Sequence, residues 1–219
     1  MRRIVPALFI SILLSGCSLF GIRTGYEQPD YKIVERLSDG IEVRRYSGSV
    51  AAEALVEAKD RQAVQTAAFR LLFDYISGKN RNEARIEMTA PVESARSSEK
   101  IAMTTPVETI GTGEGSVRMR FFLPSSYSLD SAPRPIDSRV RIVEVPAQNV
   151  AVLRFSGFGG AESIASKTQK LQTTLKSTSW QSVSMAVTYF YDPPWTLPFF
   201  RRNEVAIRVV SKDSEKLVH

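Results

Sequence analysis

Met88-Thr89-Ala90-Pro91-Val92-Glu93 recurs 15 residues later as Met103-Thr104-Thr105-Pro106-Val107-Glu108. Proline fixes its own φ and pushes the preceding residue toward extended geometry, so each copy reads as the start or edge of a strand. Two copies of one hexapeptide answer to one local requirement, and they anchor the reading of their neighbours. Upstream, Tyr31–Leu37, Ile41–Tyr46 and Val50–Val56 alternate as strands, and Asp39-Gly40 turns the first two into a hairpin. A helix follows from Arg61 to Ile76, with Asp60 as N-cap and Gly78 as its stop. The paired motifs lie on strands Ile86–Val92 and Ile101–Val107, and Val117–Leu123 comes next.

After a Ser/Pro-rich loop over 124–138 the order restarts. Strands Val140–Val145 and Val150–Phe155 precede a helix over Gly160–Ser177, then strands Ser184–Tyr189 and Glu204–Val210. At an offset of 100 residues Val43 meets Val143, Val50 meets Val150, Ala51 meets Ala151 and Leu71 meets Leu171. The repeated order predicts one domain over 31–211 made of two related halves. Antiparallel strands with two helices place it in the α+β class, its sheet curled into a barrel-like core.

The N-terminus reads as a leader. Arg2 and Arg3 precede an apolar run, Ile4 to Leu14, that is shorter than the roughly 20 residues of a membrane span. Leu14-Ser15-Gly16-Cys17 then resembles a bacterial lipobox, giving a signal peptide over 1–16 and lipid attachment at Cys17. Ser18 after the cysteine points to the outer membrane, facing the periplasm. Residues 17–30 form the lipidated start and tether, and 212–219 a polar, flexible tail. Cys17 is the sole cysteine, so the mature chain has neither disulfides nor thiolate metal sites. Without Arg2 and Arg3 the basic residues fall from 29 to 27 against 23 acids, a net charge of about +4. That weak, evenly spread charge argues against nucleic acid as a partner.

Catalytic sets are equally absent from the sequence. The single histidine is His219, the last residue, so triads, Cys-His pairs and histidine zinc sites lack a positioned imidazole. Gly157-Phe158-Gly159-Gly160 has neither the lysine nor the spacing of a phosphate loop. Glu53 and Glu57 read as carboxylates on a solvated face. The chain is therefore read as a binder and not an enzyme.

On the first helix, Ala63, Val64, Ala67, Ala68, Leu71, Leu72, Tyr75 and Ile76 form one apolar face at 100° per residue. Phe69 and Phe73 lie on the other side, beside Gln62, Thr66 and Arg70. Two phenylalanines one turn apart there make an apolar ridge, covered either by a loop or by a flat apolar ligand with Arg70 for its carboxylate. The second helix carries one stripe, Ala161, Ile164, Ala165, Leu171 and Leu175, and no such ridge. The segment from Tyr191 to Glu204, with Pro193, Pro194, Trp195, Pro198, Phe199 and Phe200, is a stiff aromatic loop, suited to a ligand wall or to a flap sealing a barrel end.

Several of these stretches together resemble the SOUL haem-binding protein family: the repeated Met-Thr-x-Pro-Val, Tyr31–Glu35 with Ile41–Tyr46, Val152–Gly157, and Tyr191–Trp195 through Arg201–Val205. The resemblance spans about Tyr31 to Val210. It implies a distorted antiparallel β-barrel flanked by two α-helices, with a pseudo-twofold internal duplication. It also implies haem or another tetrapyrrole as ligand, in an apolar groove along the first helix. Gln62, Thr66, Phe69, Arg70 and Phe73 are then the groove candidates, joined by Tyr191 and Trp195. Some family members are proposed to hold haem iron through histidine; here a Met or Tyr such as Met88, Met103 or Tyr191 would have to serve, or none. The methionines of the repeat also read as core filler. The expected function is a lipid-anchored envelope protein that binds haem without chemistry; the alternative is a structural or interaction module using the same ridge.

Overall fold

The computed structural model describes residues 27–57, 61–82, 84–96, 116–193 and 195–215. The leader with Cys17, the cap at Asp60, the strand at Ile101–Val107 with the second hexapeptide, and His219 lie outside the described residues.

The strands and helices fall close to the positions the sequence indicates. They are β1 (Tyr31–Arg36), β2 (Ile41–Tyr46), β3 (Ser49–Glu57), α1 (Arg61–Ile76), β4 (Val92–Arg96), β5 (Ser116–Phe122), β6 (Val140–Val145), β7 (Gln148–Phe155), α2 (Ala161–Lys176), β8 (Trp180–Ser182), β9 (Val187–Phe190), β10 (Asn203–Ser211) and a final turn α3 (Lys212–Glu215). The class is α+β, with every strand pairing antiparallel. The strand expected from Ile86 begins instead at Val92. Pro91, joined to Ala90 by a cis bond, has no N–H to offer a ladder, and the Ile86 N–H is already given to the Ile76 carbonyl at 2.8 Å. The strand expected at Ser184–Tyr189 begins instead at Val187 as β9, and β8 at Trp180–Ser182 is a further short strand before it. Nor is the tail free from Lys212 onward, since its N–H bonds Ser179 O at 2.8 Å as α3 begins.

Two compact units result. The mid-chain unit, Ser47–Ala147, has strand order β4-β5-β3-β6 with α1 on one face. Ala52 and Ala54 of β3 are fully buried, and their small side chains admit the helix. Ala68, Leu72, Tyr75 and Ile76 pack there with Met119, Phe121 and Val140. The helix stops as expected: Gly78 has φ 109°, its N–H reaches Tyr75 O at 3.3 Å, and the Lys79 N–H reaches Asp74 O at 3.0 Å. That is a Schellman motif, which glycine adopts without a Cβ penalty. The Ser/Pro loop then packs on the same end, where Tyr75 OH donates to Pro133 O at 2.8 Å and Ala132 joins the core. From the first hexapeptide, Met88 also packs on this core, while Thr89 bonds the Phe122 carbonyl.

The terminal unit combines the chain up to Tyr46 with the chain from Gln148. Its order is β1-β2-β7-β10-β9, with β8 also on β10. Asp39 and Gly40, both at positive φ, make the β1–β2 turn. Ile41, Val43, Ala151, Leu153, Val205 and Ile207 face Leu171 and Leu175 of α2. Ala161 and Ala165, expected on that stripe, are exposed.

The 100-residue echo is carried by the pairing itself. In the terminal unit Val43 faces Ala151 and Arg44 faces Val150; in the mid-chain unit Val143 faces Ala51 and Glu144 faces Val50. Adding 100 to the β2 residue and subtracting 100 from the β7 residue gives the β6–β3 register. The helices α1 and α2 likewise begin and end 100 positions apart.

Candidate functional site

The buried stripe of α1 is narrower than its composition indicates. Val64, Ala68, Leu72, Tyr75 and Ile76 are buried, Leu71 is half-buried, and Ala63 and Ala67 are exposed. The stripe's centre therefore shifts toward Phe69, which lies about 90° from it and Phe73 about 130°. Phe69 takes up this intermediate position by setting its ring edge-on to buried Phe121, centroids 5.3 Å apart. Its other side meets Phe73 in a nearly parallel arrangement, 6.0 Å between centroids and 14° between planes. Both rings stay open, 41% and 46% exposed, so no described segment, the Ser/Pro loop included, covers them. Two open, nearly parallel rings offer apolar surface of the kind that aromatic ligands pack against.

Arg70 and Thr66 are exposed on the same helix. Arg70 has no ion-pair partner among the described residues, and an exposed guanidinium of this kind suits an external anion. Gln62 lies in the first turn of α1, but its side chain falls outside the described residues.

Tyr191 and Trp195 belong to the terminal unit, not to the unit that carries α1. Tyr191 is no groove wall: it is 7% exposed, and its hydroxyl donates to Glu204 Oε2 at 2.7 Å. Burial, together with the Glu204 carboxylate, pushes its phenol well above the ordinary range. The Arg202 guanidinium also lies 3.9 Å from the Tyr191 ring centroid. Trp195 by contrast is 63% exposed, so its own ring seals nothing. Among the iron-ligand candidates, Met88 is committed to the core and Tyr191 to Glu204, while Met103 lies outside the described residues.

Sequence reading missed two buried ion clusters, one on the face of each sheet turned away from its helix. In the terminal unit Glu204, fully buried, receives Arg44 Nη1 at 3.1 and 3.0 Å and Arg202 Nε and Nη2 at 2.9 and 2.7 Å. Burial opposes the Arg44 charge, but Glu204 overrides it and raises the guanidinium's pKa. In the mid-chain unit Glu53, 4% exposed and unlike a solvated carboxylate, receives Arg120 Nε at 2.8 Å and Arg141 Nη2 at 2.7 Å. Arg120 also reaches Glu93 at 3.3 Å. Burial would raise the Glu53 pKa, but these arginines bring it below its usual value. The available signal was charge at alternate strand positions, as in Arg118 and Arg120 between Val117, Met119 and Phe121. Such alternation is ordinarily the mark of a solvated face.

The described residues thus form a two-core α+β fold with an open aromatic pair on one helix and buried charge on its sheets. The sequence pattern of the family described as SOUL heme-binding protein matches residues 26–208, and the chain belongs to that family. Heme-binding protein 2 of Homo sapiens is 33% identical over 139 residues, which cover 62% of this chain and 60% of the human protein. That match spans less than two thirds of the human relative. The Mus musculus protein of the same name is 26% identical over 185 residues, 82% of this chain and 84% of the mouse protein. Among solved structures, the EcmrR C-terminal domain is similar with TM-score 0.57 at 8% identity, over 83% of this chain and 98% of that one. A hydrolase encoded by lin2189 from Listeria innocua gives 0.52 at 9% identity, over 78% and 91%. At those identities the likeness is one of fold alone.

Proposed function

We propose that this chain is a lipid-anchored protein of the cell envelope that binds haem or a related porphyrin on α1 without transforming it. The carrying observation is the open, nearly parallel pair Phe69 and Phe73 in a member of the SOUL family. A porphyrin face is flat and apolar and would pack against the exposed parts of these rings. Arg70 supplies the cation for a propionate, and Thr66 and Gln62 stand along the same helix. Haem, when bound, supplies the redox-active iron and its Soret absorption; the chain supplies apolar contact and charge. With Met88 and Tyr191 otherwise engaged, the described residues support binding through the macrocycle and not through the iron. Arg2, Arg3, the Ile4–Leu14 run and the lipobox ending in Cys17 support lipid attachment and an outer-membrane position facing the periplasm.

A haemin titration tests the ligand. The mature protein gives a saturable Soret shift at micromolar haemin, and Phe69→Ala with Phe73→Ala weakens it. A flat titration, or steady loss of the bound haem as product, contradicts the reading.

The commitment of Met88 to the core and of Tyr191 to Glu204 favours one second reading, in which the same pair docks another envelope protein. A partner captured by the wild type in saturating haemin, and lost with both phenylalanines replaced, would establish it.

A further inference from the structure

We infer that the aromatic segment of the terminal unit is a membrane-docking surface, seated on the anionic phospholipid surface to which the lipid at Cys17 tethers the chain. The inference rests on the anchored reading above. Trp195 is 63% exposed, Leu197 37%, Phe199 66%, Phe200 40% and Phe158 77%. They form one patch, because the Gly157 N–H donates to Pro198 O at 2.8 Å and the Arg201 guanidinium lies 5.3 Å from the Phe158 ring centroid.

The patch is built to persist in water. Phe199 and Phe200 pack together at 4.6 Å, a 3-10 turn over Pro198–Phe200 fixes their directions, and Arg201 Nε donates to Thr196 O at 2.7 Å. Rigid Trp and Phe side chains beside an arginine match a bilayer interface, where aromatic rings settle at headgroup depth and the cation meets lipid phosphate. The net positive charge of the chain complements an anionic leaflet.

Chain geometry names the occupant. Arg202, next to the patch, donates through Nη1 to Gln28 Oε1 at 3.4 Å, so the described chain starts beside this segment. Eleven positions separate Gln28 from Cys17, about 36–40 Å at full extension. A lipid at Cys17 therefore holds this patch within reach of its own bilayer.

Trp195 reports the outcome directly. The other tryptophan, Trp180, is 7% exposed and bonded through Nε1 to Glu35 at 2.7 Å. The lipidated full-length mature protein is reconstituted in phosphatidylglycerol–phosphatidylethanolamine vesicles with brominated acyl chains. Flotation reads the anchor and tryptophan emission reads the dock. Floated protein should lose emission and shift it to shorter wavelength, and Trp195→Phe should abolish both changes. Phe158→Asp with Phe199→Asp, at exposed sites that leave circular dichroism unchanged, should keep flotation and lose quenching. Flotation without quenching overturns the dock and leaves the anchor standing. Loss of flotation and quenching together overturns both. Quenching of Trp195 by haemin but not by brominated lipid gives the patch to a tetrapyrrole and overturns the lipid reading.

Discussion

Arg44 Nη1 lies 3.1 and 3.0 Å from the two carboxylate oxygens of Glu204, a residue 160 positions later in the chain. Glu204 is fully buried and Arg44 is 4% exposed, so removal of either charge leaves the other without water. Glu204→Ala takes the buried acceptor from two guanidiniums, Arg44 keeping Glu42 at 2.8 Å, and should cost about 3 kcal/mol. Tyr191→Phe, which removes one bond to a charged acceptor, should cost about 1.5–3 kcal/mol. Urea unfolding of the two variants measures both, and a Glu204→Ala midpoint equal to wild type would refute the assignment.

Arg70 is a specificity test for the α1 surface. Arg70→Glu should weaken haemin binding about fivefold, the scale of one exposed ion pair of about 1 kcal/mol. The dimethyl ester of the same porphyrin has no carboxylates, so its affinity should not change. Equal losses for both ligands would show that Arg70 does not read a propionate.

Tyr75 predicts the alkaline limb of stability. Burial, with Tyr127 nearby, lifts its phenol to about 12. The ordinary value is about 10, so the folded state favours the neutral form. This contribution, roughly 3 kcal/mol for two pH units, is complete below pH 10 and is lost as pH rises from 10 to 12. Tyr75→Phe should flatten that limb and lower neutral stability by about 1 kcal/mol through the lost bond to Pro133. Urea midpoints between pH 8 and 12 compare the two proteins, and parallel alkaline slopes would remove Tyr75 from the account.

Cys17→Ser tests processing. The variant precursor should keep its leader and take up no radioactive palmitate. Normal labelling would place the lipid elsewhere.

The sequence located most elements because its local signals agreed with the packing. Both helix spans and the hairpin at Asp39-Gly40 follow from periodicity and from residues that tolerate positive φ. Periodicity failed where composition and environment diverge. Ala63 and Ala67 count as apolar but gain too little from burial to define a face, so the calculated centre of α1 was displaced. Alternating charge looked like a solvated surface, yet Glu53 and Glu204 are enclosed with arginine partners from strands distant in sequence. Phe69 and Phe73 were legible as a ridge because two rings one turn apart leave the apolar stripe together. Tyr191 was not legible, since its fate depends on Glu204 and not on its own neighbours.

The shared register of β2 with β7 and β6 with β3 has a consequence for the chain as a covalent object. A cut within 124–138 separates the sequence halves but divides each sheet: β2 parts from β7, and β3 from β6. Neither fragment then holds a complete set of partners, so each alone should be unfolded and only the mixture should regain native circular dichroism. Excision between Tyr46 and Gln148 instead removes β3, α1, β4, β5 and β6 as one continuous piece with its own core. What repeats along the chain is therefore not what folds as a unit, and split-protein complementation reads the difference.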